Sequence, residues 1–164
     1  MKKRIAVYPG TFDPITLGHL DIIQIGSEIF DKLIVGILDN TQKRPMIDKV
    51  ERKMLVQKSL KERGISNVEV ENFGGLTVEF ARQKEANVVI RGLRLTTEYE
   101  GELNISFNNR NLDGTIYTIL IPPLQEHIHI SSSAVREQIA FKKFERLDQY
   151  VSPCVADYIK ERYS

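Results

Sequence analysis

Apolar positions along this chain come in two patterns that alternate. Residues 4–8 (Arg-Ile-Ala-Val-Tyr) and 32–38 (Lys-Leu-Ile-Val-Gly-Ile-Leu) are continuous apolar runs, too unbroken for strands with one wet face, and they read as buried parallel strands. Between them, Ile22, Ile25 and Ile29 recur at helical spacing from Gly18 to Phe30, and Thr16 is a candidate cap for that helix. The rhythm repeats with a helix over residues 48–63, a short strand over 68–70, a helix over 77–85 and a strong strand over 87–91. A helix over 98–109 and a strand over 116–121 follow. Ser131-Ser132-Ser133 reads as the start of another helix, and Pro153 suits the first turn of a last one, where its missing N–H costs nothing. Helices alternating with apolar strands predict an α/β fold: an open parallel sheet with helices on both faces.

Composition narrows this without changing it. The chain has 164 residues, 41% hydrophobic and 27% charged, which is ordinary globular usage and enough to bury a real core. Disorder and fibre are excluded. No linker, repeat or low-complexity block divides the chain, so residues 1–164 are expected to form a single domain. A lone cysteine, Cys154, cannot make an internal disulfide, and no secretory leader pattern opens the chain; both point to the cytoplasm. No apolar run approaches the roughly 20 residues of a membrane helix, so no membrane partner is expected. With 23 Lys and Arg against 22 Asp and Glu, the balance also argues against a nucleic-acid partner.

The fold class locates the chemistry. In open parallel sheets ligands sit beyond the carboxyl ends of the strands, where the strand order reverses. Pro9-Gly10-Thr11, Asp39-Asn40, Gly74-Gly75 and Arg91-Gly92-Leu93-Arg94 all follow expected strands. The first leads through Phe12-Asp13-Pro14 to Thr16-Leu17-Gly18-His19, which puts an imidazole at a helix start that favours an anion. A histidine there can donate to a transferring phosphate without being the nucleophile, and the helix terminus tends to keep it neutral. Neither the Gly-x-x-x-x-Gly-Lys phosphate loop nor the Gly-x-Gly-x-x-Gly dinucleotide fingerprint is present.

Four motifs taken together, Tyr8-Pro9-Gly10-Thr11-Phe12-Asp13-Pro14, Thr16-Leu17-Gly18-His19, Arg91-Gly92-Leu93-Arg94 and Ile130-Ser131-Ser132-Ser133, resemble the bacterial phosphopantetheine adenylyltransferases. These belong to the nucleotidyltransferase superfamily marked by (H/T)-x-G-H. The resemblance runs collinearly from about Arg4 to about Ile159. It implies a Rossmann-like nucleotidyltransferase fold and an enzyme that transfers AMP from ATP to 4'-phosphopantetheine, giving dephospho-coenzyme A and pyrophosphate. It also implies Mg2+ and a homohexamer. By the same resemblance His19, Lys43 and Arg91 are the catalytic residues, His19 stabilising charge during in-line attack. Thr11, Phe12, Arg94, Glu102, His127 and Ser131 to Ser133 join His19 around ATP, with Glu102 near the ribose and His127 near the adenine edge. Thr11, Lys43, Thr77 and Arg91 face the phosphopantetheine. Positioning and charge neutralisation by such a set is what phosphoryl-type transfer requires, and Mg2+ bridging phosphate oxygens needs no protein cage, so no protein-held metal site is expected.

Each residue also has a plainer reading. His19 alone is as good a structural histidine, Arg91 and Arg94 could form ion pairs, the serines could merely cap, and Asp13 beside Pro14 suits a turn as well as a magnesium–phosphate complex. Residues 41–63 hold eight Lys and Arg against three Asp and Glu, of which Lys49, Lys53, Lys58 and Lys61 read as a solvated helix face. His127 and His129 could face one side of an extended segment, yet no further ligands accompany them, and His127 is equally a plain loop histidine. Departures from the family cluster after Arg94: Gly101 stands where a tyrosine is expected, loosening the first helical turn, and Asn104 to Arg110 lack the usual methionines. Two other readings therefore stay open: a sibling nucleotidyltransferase acting on another phosphorylated small molecule, and a nucleotide-binding module without turnover.

Overall fold

The computed structural model describes residues 3–39 and 44–164. Five strands, β1 (Ile5–Gly10), β2 (Lys32–Leu38), β3 (Val68–Phe73), β4 (Val88–Gly92) and β5 (Tyr117–Ile121), form one sheet in the order β3-β2-β1-β4-β5. Every neighbouring pair is parallel. Between the strands lie α1 (Leu17–Ile29), α2 (Lys49–Glu62), α3 (Thr77–Gln83) and α4 (Thr96–Leu112), and α5 (Ser132–Ala140) and α6 (Pro153–Tyr163) follow β5. The open parallel sheet covered on both faces is the one the sequence predicts. No helix among the described residues is long and apolar enough to cross a membrane.

The period-2 alternation of the central strands divides the core. Ala6 and Tyr8 of β1 and Leu33, Val35 and Ile37 of β2 point to one face, where they meet Leu20 and Ile23 of α1, Leu55 of α2 and Val155 of α6. Val7 and Ile34 point to the other, against Val78 and Phe80 of α3. That second layer closes tightly at Gly36, where an added Cβ would lie 2.6 Å from Phe80; the Phe80 ring instead stacks on Phe73 with centroids 4.3 Å apart.

Three elements run two or more residues past their expected bounds, each for a physical reason. β1 runs on through Pro9 and Gly10. It pairs with β2 as far as Gly10 and Ile37, but its register with β4 ends at Val7 and Val89, so Pro9, with no N–H to give, costs that ladder nothing. β3 continues to Phe73 because an edge strand with polar Glu71 and Asn72 carries little apolar signal. α4 spans Thr96–Leu112 and buries only Asn109, so apolar periodicity could not mark its ends. Gly101 accordingly sits in the second turn of α4, not the first, and the helix runs through it.

Candidate functional site

β1 and β4 part beyond Val7 at the point where the strand order reverses, and a cleft of about 510 Å³ opens there. That volume lies within the range of small-molecule sites. One wall is the start of α1. Thr16 is the N-cap and His19 the third helical residue, joined in a reciprocal capping box. The Thr16 backbone N–H donates to His19 Nδ1 at 3.1 Å, Thr16 Oγ1 lies 3.0 Å from the same nitrogen, and the His19 N–H donates to Oγ1 at 3.4 Å. A backbone N–H can only donate, so Nδ1 is the lone-pair nitrogen and Nε2 carries the hydrogen of the neutral ring. Loss of water around the imidazole, followed by the charge of Arg94, lowers its pKa to about 4. His19 therefore presents an uncharged N–H donor at neutral pH.

Phe12 supports that ring rather than lining the cleft. It is buried, with its ring edge-on to His19 at 5.1 Å and to Tyr8 at 5.4 Å. Its φ of 50° is uncommon for a bulky residue and is held by this packing.

The opposite wall carries charge. Arg91, at the end of β4, makes two hydrogen bonds to Glu102 of α4, Nε to Oε2 at 2.7 Å and Nη2 to Oε1 at 2.9 Å. Burial works to lower the Arg91 pKa, but the hydrogen bonds and charge of Glu102 outweigh it. Glu102 is thus an anchor for Arg91, a partner that the sequence assignment of Glu102 to the ribose did not include. Arg94 is paired with Glu98 and donates from Nη1 to the Ile130 carbonyl at 2.6 Å. Tyr8 lies below, its hydroxyl pKa raised chiefly by burial.

The serine run closes the cleft. Ser131 is the N-cap of α5, accepting from Ala134 N at 3.1 Å. Ser132 Oγ donates to the Pro14 carbonyl at 2.8 Å, and Ser133 Oγ accepts from Arg136 at 3.0 Å. Only Ser132 gives its hydroxyl hydrogen away, so the helix start offers an anion its first-turn N–H groups together with the O–H donors of Ser131 and Ser133.

Beside the main cleft, a smaller one of about 270 Å³ is lined by Thr11, Arg44 and Arg136 among others. Two buried residues join its loops. The Asp13 carboxylate accepts from Met46 N at 2.8 Å and Ile47 N at 2.9 Å. Arg52, 1% exposed, donates to the carbonyls of Thr11 at 2.5 Å, Ile47 at 3.0 Å and Leu38 at 3.3 Å. The sequence reading counted Arg52 in the basic stretch 41–63 and gave it no role. Its signal was available, since Arg52, Leu55, Val56, Ser59 and Leu60 share the buried stripe of α2. With both Asp13 oxygens taken, that residue is a loop tie, and no group of three His, Cys, Asp or Glu among the described residues could hold a metal ion. A protein cage for Mg2+ does not fit these residues.

His19, Arg91, Arg94, Glu102 and Ser131 to Ser133 meet in the main cleft, with Thr11 in the adjoining one. Thr77 opens α3, after the edge strand β3, and lines neither. Lys43 lies outside the described residues. His127 is not among the residues that line the cleft; its Nδ1 lies 2.6 Å from Asp21 Oδ2, an edge-on contact with a buried carboxylate on α1 that the sequence assignment did not include. His127 and His129 also occupy a short helical turn and its exit, not an extended segment. Asp21 was missed because one carboxylate between Leu20 and Ile22 reads as a surface residue.

A sequence model described as cytidylyltransferase-like matches residues 7–138. Among solved structures the chain is similar to the nicotinic acid mononucleotide adenylyltransferase of Plasmodium falciparum, with TM-score 0.72, 18% identity and coverage of 98% of this chain and 96% of that one. It also resembles a bifunctional NMN adenylyltransferase/ADP ribose pyrophosphatase from Francisella tularensis, with TM-score 0.70 and 16% identity over 98% of this chain and 49% of that one. At such identities the likeness is one of fold. Curated relatives are nearer. The phosphopantetheine adenylyltransferase of Nostoc punctiforme is 42% identical over 98% of this chain and 85% of its own. That of Natranaerobius thermophilus is 39% identical over 97% and 96%, and that of Nautilia profundicola 44% over 83% and 87%. Identity of this level along nearly the whole chain, on the expected sheet, means that the chain belongs to the phosphopantetheine adenylyltransferase family of the nucleotidyltransferase superfamily.

Proposed function

We propose that this protein transfers AMP from ATP to 4'-phosphopantetheine, releasing pyrophosphate and forming dephospho-coenzyme A. An oxygen of the phosphopantetheine phosphate attacks the α-phosphorus of ATP, the bond to the bridging α–β oxygen breaks opposite it, and pyrophosphate leaves with that electron pair. The observation that carries the chemistry is the fixed tautomer of His19: Nδ1 is occupied by Thr16 N–H, so Nε2–H is the donor at the switch point. Negative charge building on the α-phosphoryl oxygens is what such a donor stabilises, and no covalent intermediate is required. Family membership carries the choice of acceptor.

In this reading Arg91 and Thr11, with Lys43, take the acceptor phosphate, and Arg94 with the α5 N–H groups takes the triphosphate. Magnesium arrives on the phosphate oxygens as part of the nucleotide substrate. Work in the cytoplasm fits a chain without a membrane-crossing helix among its described residues. Self-association fits Tyr99, Phe107 and Leu112 of α4 with Tyr117 and Ile119 of edge strand β5, all more than a third exposed; the homohexamer comes from the family resemblance, and light scattering tests it.

The deciding measurement is pyrophosphate release with ATP, magnesium and 4'-phosphopantetheine, beside CTP as donor and nicotinate mononucleotide as acceptor. Turnover is expected only with the first pair and is expected to be largely lost in His19→Ala. Turnover with another pair alone would assign a sibling activity, and ATP binding without any turnover a non-catalytic module.

A further inference from the structure

The Asp21 carboxylate has no solvent exposure, and its two oxygens serve different parts of the molecule. Oδ1 accepts from Arg63 Nη1 at 3.0 Å. Oδ2 accepts from the Leu124 backbone N–H at 3.2 Å and faces His127 Nδ1 at 2.6 Å. A buried carboxylate must be paired, and Arg63 supplies an opposite charge. Both partners of the second oxygen come instead from the segment between β5 and α5, so Asp21 fastens that segment to α1.

The fastening continues to the cleft. The His127 carbonyl accepts from Ile130 N at 3.0 Å, and the Ile130 carbonyl accepts from Arg94 Nη1 at 2.6 Å. Ser131, the cap of α5, is the next residue. The segment also lies across the start of α1, where an added Cβ on Gly18 would sit 3.6 Å from the His127 carbonyl and 4.0 Å from that of Ile130. His127 Nε2 lies 3.8 Å from the exposed Glu126.

We propose that Asp21 and His127 are positioning residues that latch the segment from Leu124 to Ile130 in place, and so set Arg94 and the start of α5 for the nucleotide. This rests on the reading of the cleft as an ATP site. His127 then works through its Nδ1–H and not as an aromatic face for the base. The two roles separate by substitution: the side-chain amide nitrogen of asparagine can stand where Nδ1 stands, whereas phenylalanine keeps a ring and loses the donor.

The test is the ATP dissociation constant, by calorimetry, of the full chain and of His127→Ala, His127→Asn and His127→Phe, with KM for both substrates and kcat measured alongside. His127→Ala and His127→Phe are expected to weaken ATP binding about ten-fold, the effect of one hydrogen bond to a charged group, and His127→Asn by no more than about two-fold. KM for the acceptor and kcat at saturating ATP should stay within about two-fold. Three results would overturn the latch: wild-type affinity in His127→Ala, affinity kept by His127→Phe and lost by His127→Asn, or equal weakening for ATP and acceptor. Asp21→Asn should reproduce His127→Ala; if it does not fold, the His127 series decides, since Asp21 there keeps Arg63. Wild-type protein that binds ATP but does not transfer AMP would refute the proposed reaction while leaving the affinity series to judge the latch.

Discussion

The two walls of the cleft are built on opposite plans. The α1 wall is uncharged and local: Thr16 and His19, three residues apart, exchange hydrogen bonds that leave one tautomer and one donor. The α4 wall is charged and drawn from farther along the chain, with Arg91 held by Glu102 and Arg94 held both by its near neighbour Glu98 and by the Ile130 carbonyl. The first needs no rearrangement to meet developing charge. On the second, carboxylates neutralise the arginines while leaving part of each five-donor guanidinium for a phosphate. In the proposed reaction, a neutral fixed donor on one wall and tethered cations on the other divide transition-state stabilisation from substrate capture.

The largest effect expected is on the first wall. His19→Ala should lower kcat about 10²- to 10³-fold, the cost of removing one preorganised donor, with ATP affinity changed far less; single-turnover pyrophosphate release measures it. The same imidazole sets a pH dependence. Its folded pKa of about 4 lies below the ordinary value of 6.5, so the unfolded chain takes up this proton first as pH falls. Its contribution to stability is whole above about pH 6.5, declines between 6.5 and 4, and falls no further below. An NMR titration of the imidazole resonances should find His19 uncharged at pH 5.5; a midpoint near 6.5 would break the contrast between the walls.

Next is the tie beneath both loops. Arg52→Met strands the carbonyls of Thr11, Leu38 and Ile47 and should cost about 3 kcal/mol in urea unfolding. Arg52→Lys should recover only part of it, because a single ammonium lacks the planar fork. On the charged wall, Glu102→Gln loosens Arg91 and should lower kcat/KM for the acceptor about ten-fold, the scale of a charge-assisted hydrogen bond, with KM for ATP little moved. Equal losses for both substrates would show that the wall does not divide them. The smallest effect is at Gly101, where an added Cβ meets nothing within 4 Å. Gly101→Ala should stabilise α4 by up to about 1 kcal/mol, read from the thermal midpoint.

The amino-acid order by itself determined the alternation of strands and helices, because buried parallel strands must be continuously apolar and α1 carries its isoleucines at helical spacing. It also determined the α1 wall, since Thr-x-x-His is a contact between neighbours, and it placed Arg91, Arg94 and the serines at strand or helix ends. The resemblance carried by four motifs supplied the family that the comparisons bear out. Only the tertiary structure decided the partners. Arg52 was one more charge in a basic stretch until its guanidinium met carbonyls from three segments, and the sequence named neither Arg91 as a partner of Glu102 nor Asp21, 106 residues away, as a partner of His127. Hydrophobic periodicity and capping are set by near neighbours and can be read along the chain. Which buried charge meets which carbonyl or carboxylate depends on how the helices are laid across the sheet, and only the folded arrangement specifies that.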